Sequence, residues 1–157
     1  MGIQTMRINI YSISKKDNNI LALQEELCMQ CRQFGADIKV IDLMPQSVQK
    51  AQKISPELAR QSYTQALSPY IQPNALNLAL HPQGKSYDSM GFARFIESGQ
   101  LVQFFIGGAW GFEEEFVRMC KGISLSTLTL SHKIAKLVLC EQIYRALSII
   151  HSHPYHK

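Results

Sequence analysis

The chain has 157 residues, of which 46% are hydrophobic and 18% are charged. This length and composition predict one globular domain over residues 1–157, and they exclude a disordered or fibrous protein. The longest apolar stretch, 101–112, is shorter than the ~20 residues of a membrane span. The N-terminus lacks the basic and apolar regions of a signal peptide. We therefore expect a soluble, cytoplasmic protein whose four cysteines are reduced thiols.

The net charge of +4 is concentrated near the C-terminus. Six basic residues lie beyond position 117, where Glu141 is the single acidic residue. A basic surface of this kind suits a polyanion such as nucleic acid, or it only keeps the protein in solution, and charge alone leaves both interpretations open. Cys28 and Cys31 form a lone CxxC pair, and the histidines of HSHPYH lie in a short tail. Neither pattern is a complete zinc site, so we expect no metal.

In chain order, alternating apolar residues predict a first strand over 6–13, followed by an amphipathic helix over 20–34 that Asn18-Asn19 caps and Gly35 ends. A second strand is predicted over 37–43. The polar stretch 46–55 favours an exposed loop or a frayed helix. Pro56 favours a helix start there, and that helix continues to about Leu67.

The second half begins with a short apolar strand over 75–80 that ends in the loop 81–86. A helix from about 89 to 98 follows, and then a strand over 101–106 that is apolar enough to be covered on both faces. A short helix is predicted over 112–120, and apolar residues alternate with Ser and Thr over 123–130. Ser131 then caps a final helix over 132–150. Strands that alternate with helices predict an α/β fold with a parallel sheet.

Ligands in such folds bind outside the carboxyl ends of the strands. Three strand ends carry suitable residues: Leu80 with the loop 81–86, the glycine turn IGGAWG at 106–111, and the segment 125–132. IGGAWG is neither a dinucleotide fingerprint nor a phosphate loop. Its spacing leaves open whether Gly107 and Gly108 only form a tight turn or let a flat ligand approach the backbone. His132 is either a ligand contact or a packed ring, and a lone histidine is more often a packed ring.

Four segments together carry a family resemblance: IGGAWG, SLSTLTLSH, EQIYRALSI and the terminal HPYHK. With Leu80 and the following Gly84-Lys85, they resemble the SPOUT-class ribosomal RNA large subunit methyltransferase H family over residues 76–157. The resemblance implies an α/β knot fold with a C-terminal deep trefoil knot, and a homodimer with the active site built across the interface. It also implies S-adenosylmethionine as methyl donor and N3 of a pseudouridine in helix 69 of 23S ribosomal RNA, in the assembled ribosome, as the target.

Position by position, the resemblance assigns cofactor contacts to the following residues: Leu80, Gly107, Gly108, Leu125, Ser126, Thr127, Leu128, Thr129 and Leu130. It assigns substrate and catalytic roles to Arg145, Tyr155 and His156. The N3 proton would go to His156, or to Tyr155 if the pKa of its phenol is lowered, and Arg145 would stabilise the imidate or hold a phosphate.

Two further expectations concern partners. Candidate contacts to an RNA backbone are Lys121, Lys133 and Lys136. The final helix is more apolar than one sheet face requires, so we expect part of it to be shared with a second copy of the chain. The alternative function is a non-catalytic RNA- or nucleotide-binding protein on the same scaffold.

Overall fold

A computed structural model describes residues 5–157. Five parallel strands form one sheet in the order β2-β1-β4-β3-β5. The strands are β1 (Met6–Ile13), β2 (Ala36–Leu43), β3 (Leu76–Ser86), β4 (Leu101–Ile106) and β5 (Lys121–Ser124). The predicted α/β fold with a parallel sheet is therefore confirmed, while the trefoil knot stays a prediction from the resemblance.

Six α-helices connect the strands. They are α1 (Asn18–Gln30), α2 (Gln46–Gln52), α3 (Pro56–Leu67), α4 (Ser89–Glu97), α5 (Glu114–Met119) and α6 (His132–Ile150). Asp17, not an asparagine, caps α1 by accepting a hydrogen bond from the Asn19 amide at 2.9 Å. Ser131 caps α6, as predicted, by accepting from the Ile134 amide at 3.3 Å. Within residues 5–157, no helix is long and apolar enough to cross a membrane.

Two hydrophobic cores lie on opposite faces of the sheet. On one face, α1, α4 and α6 cover side chains such as Ile8 and Phe104, and on the other, α2, α3 and α5 cover side chains such as Phe105. All six residues of β4 are buried, as its continuous apolar sequence predicts. The central strands are therefore rigid supports for the loops at their carboxyl ends.

The segment 46–55, predicted as an exposed loop or a frayed helix, contains a helix that is anchored to the core. Residues 46–52 form α2, and the side chain of Val48 is fully buried in the second core. One buried valine in a polar segment stabilises the helix through a tertiary contact that local composition does not reveal.

β3 is longer than predicted because it pairs with β5 twice. Leu80 and Lys85 both pair with Ile123, so the intervening residues form a bulge within the strand and not a free loop. Gly84 is required there, since a Cβ on it would lie 2.5 Å from the backbone nitrogen of Ile123. β5 ends at Ser124, and the predicted strand-like alternation over 125–130 is a loop.

Candidate active site

A cavity lies at the carboxyl ends of β3, β4 and β5, where the fold class predicts a ligand. Its walls contain eight of the nine residues assigned to the cofactor, and Thr127 is the one absent from them. The loop 81–86, which the sequence also indicated, contributes His81 and Pro82 to the lining. The lining residues that the sequence did not indicate include Phe112, Ser124 and Ala135. Ser124 is the last residue of β5, so its position at a strand end is the signal that could have found it.

The glycine turn is as tight as its sequence suggests. A Cβ on Gly108 would lie 2.5 Å from the Tyr63 hydroxyl oxygen, and a Cβ on Gly107 would lie 3.2 Å from the carbonyl oxygen of Gly111. Gly111 itself has φ +76°, a conformation that side chains disfavour. Glycines are thus needed for the turn, and the turn forms one wall of the cavity with its backbone.

The loop 125–130 forms another part of the cavity wall and is held by local hydrogen bonds. The Ser124 hydroxyl donates to the carbonyl oxygen of Ser126 at 2.9 Å, and the Leu128 amide donates to the Ser126 hydroxyl at 3.0 Å. The Leu128 side chain is 72% exposed. The serines of this segment therefore shape the backbone, and an exposed leucine stands beside the cavity.

His132 lies in the cavity wall at the first turn of α6. Burial lowers the pKa of its ring below the ordinary value, and the nearby charges of Lys133 and Lys136 lower it further against the opposing effect of Asp42. The ring is therefore neutral at pH 7. The lining contains neither lysine nor arginine among the described residues, so the cavity can take an apolar, flat or cationic ligand.

Lys136 is not available to RNA, and the prediction that it contacts the phosphate backbone is wrong. Its side chain is buried, with the Nζ atom 2.6 Å from Asp42 Oδ1 and 3.2 Å from Ser14 Oγ. This buried ion pair ties α6 to the carboxyl ends of β1 and β2. A charged side chain with a buried partner serves the fold and not the surface.

Other basic side chains of the last quarter are also paired. Arg118 pairs with Glu114, Lys133 with Asp17 and Arg145 with Glu141. Within residues 5–157, Lys121 and Lys157 have no ion-pair partner, and Lys121 Nζ lies 5.1 Å from the centre of the Phe95 ring. Three of the six basic side chains beyond position 117 are therefore paired with carboxylates that precede this position.

A second group of candidate residues lies near the C-terminus, after the segments that line the cavity. It contains Arg145, Tyr155 and His156, and Glu141 binds the first two of them. Glu141 Oε1 accepts hydrogen bonds from Arg145 Nη2 at 2.8 Å, from Arg145 Nε at 3.1 Å and from the Tyr155 hydroxyl at 2.9 Å. Arg145 Nη1 lies 3.1 Å from His156 Nδ1. We call these four residues the C-terminal cluster. Glu141 is the first residue of the EQIYRALSI segment, but only the structure reveals that it lies at the centre of this cluster.

The tail that carries this cluster is anchored to the protein. His153 donates its amide to the carbonyl oxygen of Ser148 at 2.8 Å, and Ser152 adopts φ 55°, which is the left-handed end of a helix. The rings of His151 and His153 pack on Phe34 at centroid distances of 5.2 and 5.5 Å. These histidines thus anchor the tail, and no group of metal-binding side chains occurs in the described part of the chain.

Tyr155 lacks the lowered phenol pKa that it would need in order to accept the N3 proton. Partial burial raises the pKa of its phenol, and the hydrogen bond to the Glu141 carboxylate raises it further. Its ring also packs on Tyr144 with centroids 4.5 Å apart. At neutral pH the phenol is therefore a protonated donor whose hydrogen bond goes to Glu141.

The cavity and the C-terminal cluster lie at opposite ends of one helix. His132 is the first residue of α6, and Arg145 follows thirteen positions later in the same helix. At ~1.5 Å per residue, their Cα atoms are about 20 Å apart. Within one chain, the His132 side of the cavity is therefore far from Arg145.

Comparison with known proteins identifies the family. A sequence model described as "Predicted SPOUT methyltransferase" matches residues 6–156. The chain belongs to the SPOUT methyltransferase family. It is 69% identical over 153 residues to "Ribosomal RNA large subunit methyltransferase H" of Helicobacter hepaticus, which covers 97% of this chain and 100% of that relative.

Relatives with the same name show the same full-length match. Those of Helicobacter acinonychis and Helicobacter pylori are 51% and 49% identical over 152 residues, with 97% of this chain and 100% of each relative covered. The family inferred from the four sequence segments is confirmed. The similarity also extends over residues 6–75, where the motifs carried no signal.

Proposed function

We propose that this chain is a single-domain methyltransferase of the large-subunit ribosomal RNA, which uses S-adenosylmethionine and acts on the ribosome in the cytoplasm. The finer proposal is that it methylates N3 of a pseudouridine in helix 69 of 23S ribosomal RNA. The substrate class rests on the names of the relatives, and the nucleotide rests on the sequence resemblance. The observation that best supports a catalytic function is that α6 carries two groups of candidate residues, which we call half-sites. The cavity lies at its beginning and the C-terminal cluster lies near its end.

The cavity has the chemistry that S-adenosylmethionine needs. Leucine side chains and backbone groups of the loop 125–130 can hold a flat adenine ring, and Gly107 leaves room beside its backbone. The sulfonium of the cofactor is a cation, and the cavity presents it with a neutral His132 and no lysine or arginine. When bound, the cofactor supplies an electrophilic methyl group.

The C-terminal cluster supplies the substrate side. Arg145 provides a fixed positive charge for a carbonyl oxygen that gains negative charge when N3 loses its proton, or for a phosphate. Glu141 holds the arginine in place with two hydrogen bonds. Tyr155 stays protonated and packs under the guanidinium, whose carbon lies 4.8 Å from the ring centre. These residues orient the acceptor base, and orientation is the main requirement of this transfer.

A homodimer brings the half-sites together. Because the Cα atoms of His132 and Arg145 are about 20 Å apart within one chain, the cluster of one protomer would complete the cavity of its partner. Large apolar side chains are exposed on the elements that form the cavity: Trp110 is 49%, Leu128 is 72% and Ile134 is 47% exposed. Exposed apolar groups of this kind are expected at an interface between copies.

The experiment that tests this proposal mixes two inactive variants. Gly107→Val should fill the cavity, and deletion of residues 155–157 should remove the substrate side. Each variant alone should fail to transfer a labelled methyl group to ribosomes. If the site is shared, half of the randomly mixed dimers carry both lesions on different chains, and the mixture should recover about a quarter of the wild-type rate.

The outcomes separate the alternatives. No recovery on mixing would contradict a site shared between protomers. Sedimentation of the wild-type protein should give twice the chain mass, and a monomer at micromolar concentration would contradict the dimer. A wild-type protein that binds cofactor and RNA but transfers no methyl group would be the non-catalytic binding protein.

A further inference from the structure

The contact between Arg145 and His156 determines which ring nitrogen of the histidine carries a proton. Arg145 Nη1 lies 3.1 Å from His156 Nδ1. A guanidinium has only donors and stays protonated in proteins, so His156 Nδ1 must be the acceptor in this hydrogen bond. A neutral imidazole whose Nδ1 accepts carries its proton on Nε2.

Glu141 determines which nitrogen of Arg145 faces His156. Its Oε1 atom binds Nη2 and Nε of Arg145, which leaves Nη1 as the guanidinium nitrogen turned toward His156. The other carboxylate oxygen accepts from Gln142 Nε2 at 2.8 Å, and Gln142 Oε1 accepts from the Ser89 hydroxyl at 2.9 Å. The chain of hydrogen bonds therefore extends from α4 to the tail and fixes the orientation of each group in it.

We infer that Glu141 is a positioning residue that, through Arg145, fixes His156 as the Nε2–H tautomer, and that His156 donates this hydrogen bond to a carbonyl oxygen of the acceptor base. The inference rests on the proposed function for the identity of the acceptor. It makes His156 a donor in the reaction and not the base that removes the N3 proton.

Two physical reasons favour the donor role. A proton added to Nδ1 would face an N–H of a cation 3.1 Å away, so His156 cannot accept a proton there while Arg145 keeps its place. The Nε2–H group is free of this contact. When N3 loses its proton to solvent water, negative charge spreads to the flanking carbonyl oxygens, and a fixed donor stabilises that charge in the transition state.

Two substitutions of His156 distinguish a donor from a base. A glutamine amide places an N–H close to where Nε2–H lies, but it cannot act as a base at neutral pH. His156→Gln should therefore keep methyl transfer to ribosomes within about tenfold of wild type. His156→Phe should lose about 100-fold, the usual cost of removing one such donor. Equal loss in both variants would overturn the donor role.

Glu141→Gln tests the positioning role, and Glu114→Gln is its matched control. Glu114 also pairs with an arginine four residues later, at 3.2 Å, but on the exposed surface of α5. Glu141→Gln should lower the turnover rate by up to ~100-fold through misplacement of Arg145 and His156, while cofactor affinity stays unchanged. Glu114→Gln should change neither quantity. A wild-type turnover rate in Glu141→Gln would overturn the role of Glu141.

Nitrogen-15 NMR of the histidine rings tests the tautomer without any activity. The signals of the neutral His156 ring should report a proton on Nε2, and His156→Gln identifies these signals by their loss. Glu141→Gln and Arg145→Met should shift the ring toward a mixture of tautomers. A proton on Nδ1 in the wild-type protein would overturn the inference. Failure of wild-type methyl transfer would instead contradict the proposed function, because the NMR result does not depend on it.

Discussion

Replacing Lys136 with methionine should lower the free energy of unfolding by about 3–5 kcal/mol. The lysine Nζ atom is 2.6 Å from Asp42 Oδ1, and both side chains are nearly inaccessible to solvent, at 2% and 9% exposure. Methionine has a similar length and fills the space, but it leaves the Asp42 carboxylate buried without a counter-charge. The cost is therefore mainly that of an unpaired buried charge. For a domain of this size, it corresponds to a decrease in melting temperature of about 6–20 °C.

Lys133→Met is the matched control for this substitution. Lys133 lies on the same helix and pairs with Asp17 at 2.8 Å, but its side chain is 49% exposed. Exposed pairs contribute about 0–1 kcal/mol, so the control should be almost as stable as wild type. Urea unfolding of both variants measures the difference. The double variant Lys136→Met/Asp42→Asn should recover much of the loss because the unpaired charge is gone.

The result also bears on the site. Lys136 anchors the beginning of α6, which carries His132 and Ala135 in the cavity wall. Lys136→Met should therefore weaken cofactor binding as well as stability, whereas Lys133→Met should weaken neither. Equal stability of the two single variants would refute the assignment of Lys136 to a buried ion pair. Lys136 would then again be a candidate contact to RNA.

Three further predictions concern the cavity and the tail. Gly107→Val should abolish binding of S-adenosylmethionine in calorimetry, since the valine methyl groups would crowd Gly111 and Phe112, and retained affinity would argue against this cavity as the cofactor site. Deletion of residues 155–157 should cost about 1 kcal/mol, or about 2–4 °C in melting temperature, because Tyr155 packs only partly buried on Tyr144. The deletion should leave cofactor affinity intact and lower methyl transfer by at least ~100-fold, and full activity would remove the tail from the site. The lowered pKa of His132 means that its neutral ring stabilises the fold above pH ~6.5, and this contribution is lost as the pH falls through the lower folded pKa. Urea unfolding should therefore depend less on pH between ~7 and ~5 in His132→Asn than in wild type, and an equal dependence would contradict the burial of the ring.

Apolar periodicity was sufficient to predict the order of strands and helices, because each element buries one face and the pattern is local. The continuous apolar strand 101–106 and the cap at Ser131 were correct for this reason. The bulge in β3 was missed, since it forms only by pairing with β5, which lies about forty residues later. The sequence left open whether 46–55 is a loop or a frayed helix, because the burial of Val48 that stabilises α2 involves elements remote in sequence.

The sequence likewise predicted one part of the candidate site and did not reveal another. The motifs predicted the segments that form the cavity, since glycine and strand-end signals are local. They did not reveal that Lys136 is buried, because its partner Asp42 lies 94 positions earlier in the chain. They also did not reveal Glu141 as the residue that holds the tail, because the hydrogen bond from Tyr155 depends on how the chain turns after Ile150.

The most direct test of the proposed function is mass spectrometry of helix 69 RNA from a strain that lacks the gene for this chain. One methyl group should be absent from a pseudouridine of this helix in the deletion strain. The wild-type gene should restore the methyl group, while the gene with Gly107→Val or without residues 155–157 should not. A helix 69 that carries the same methyl group with and without the gene would contradict the proposed substrate.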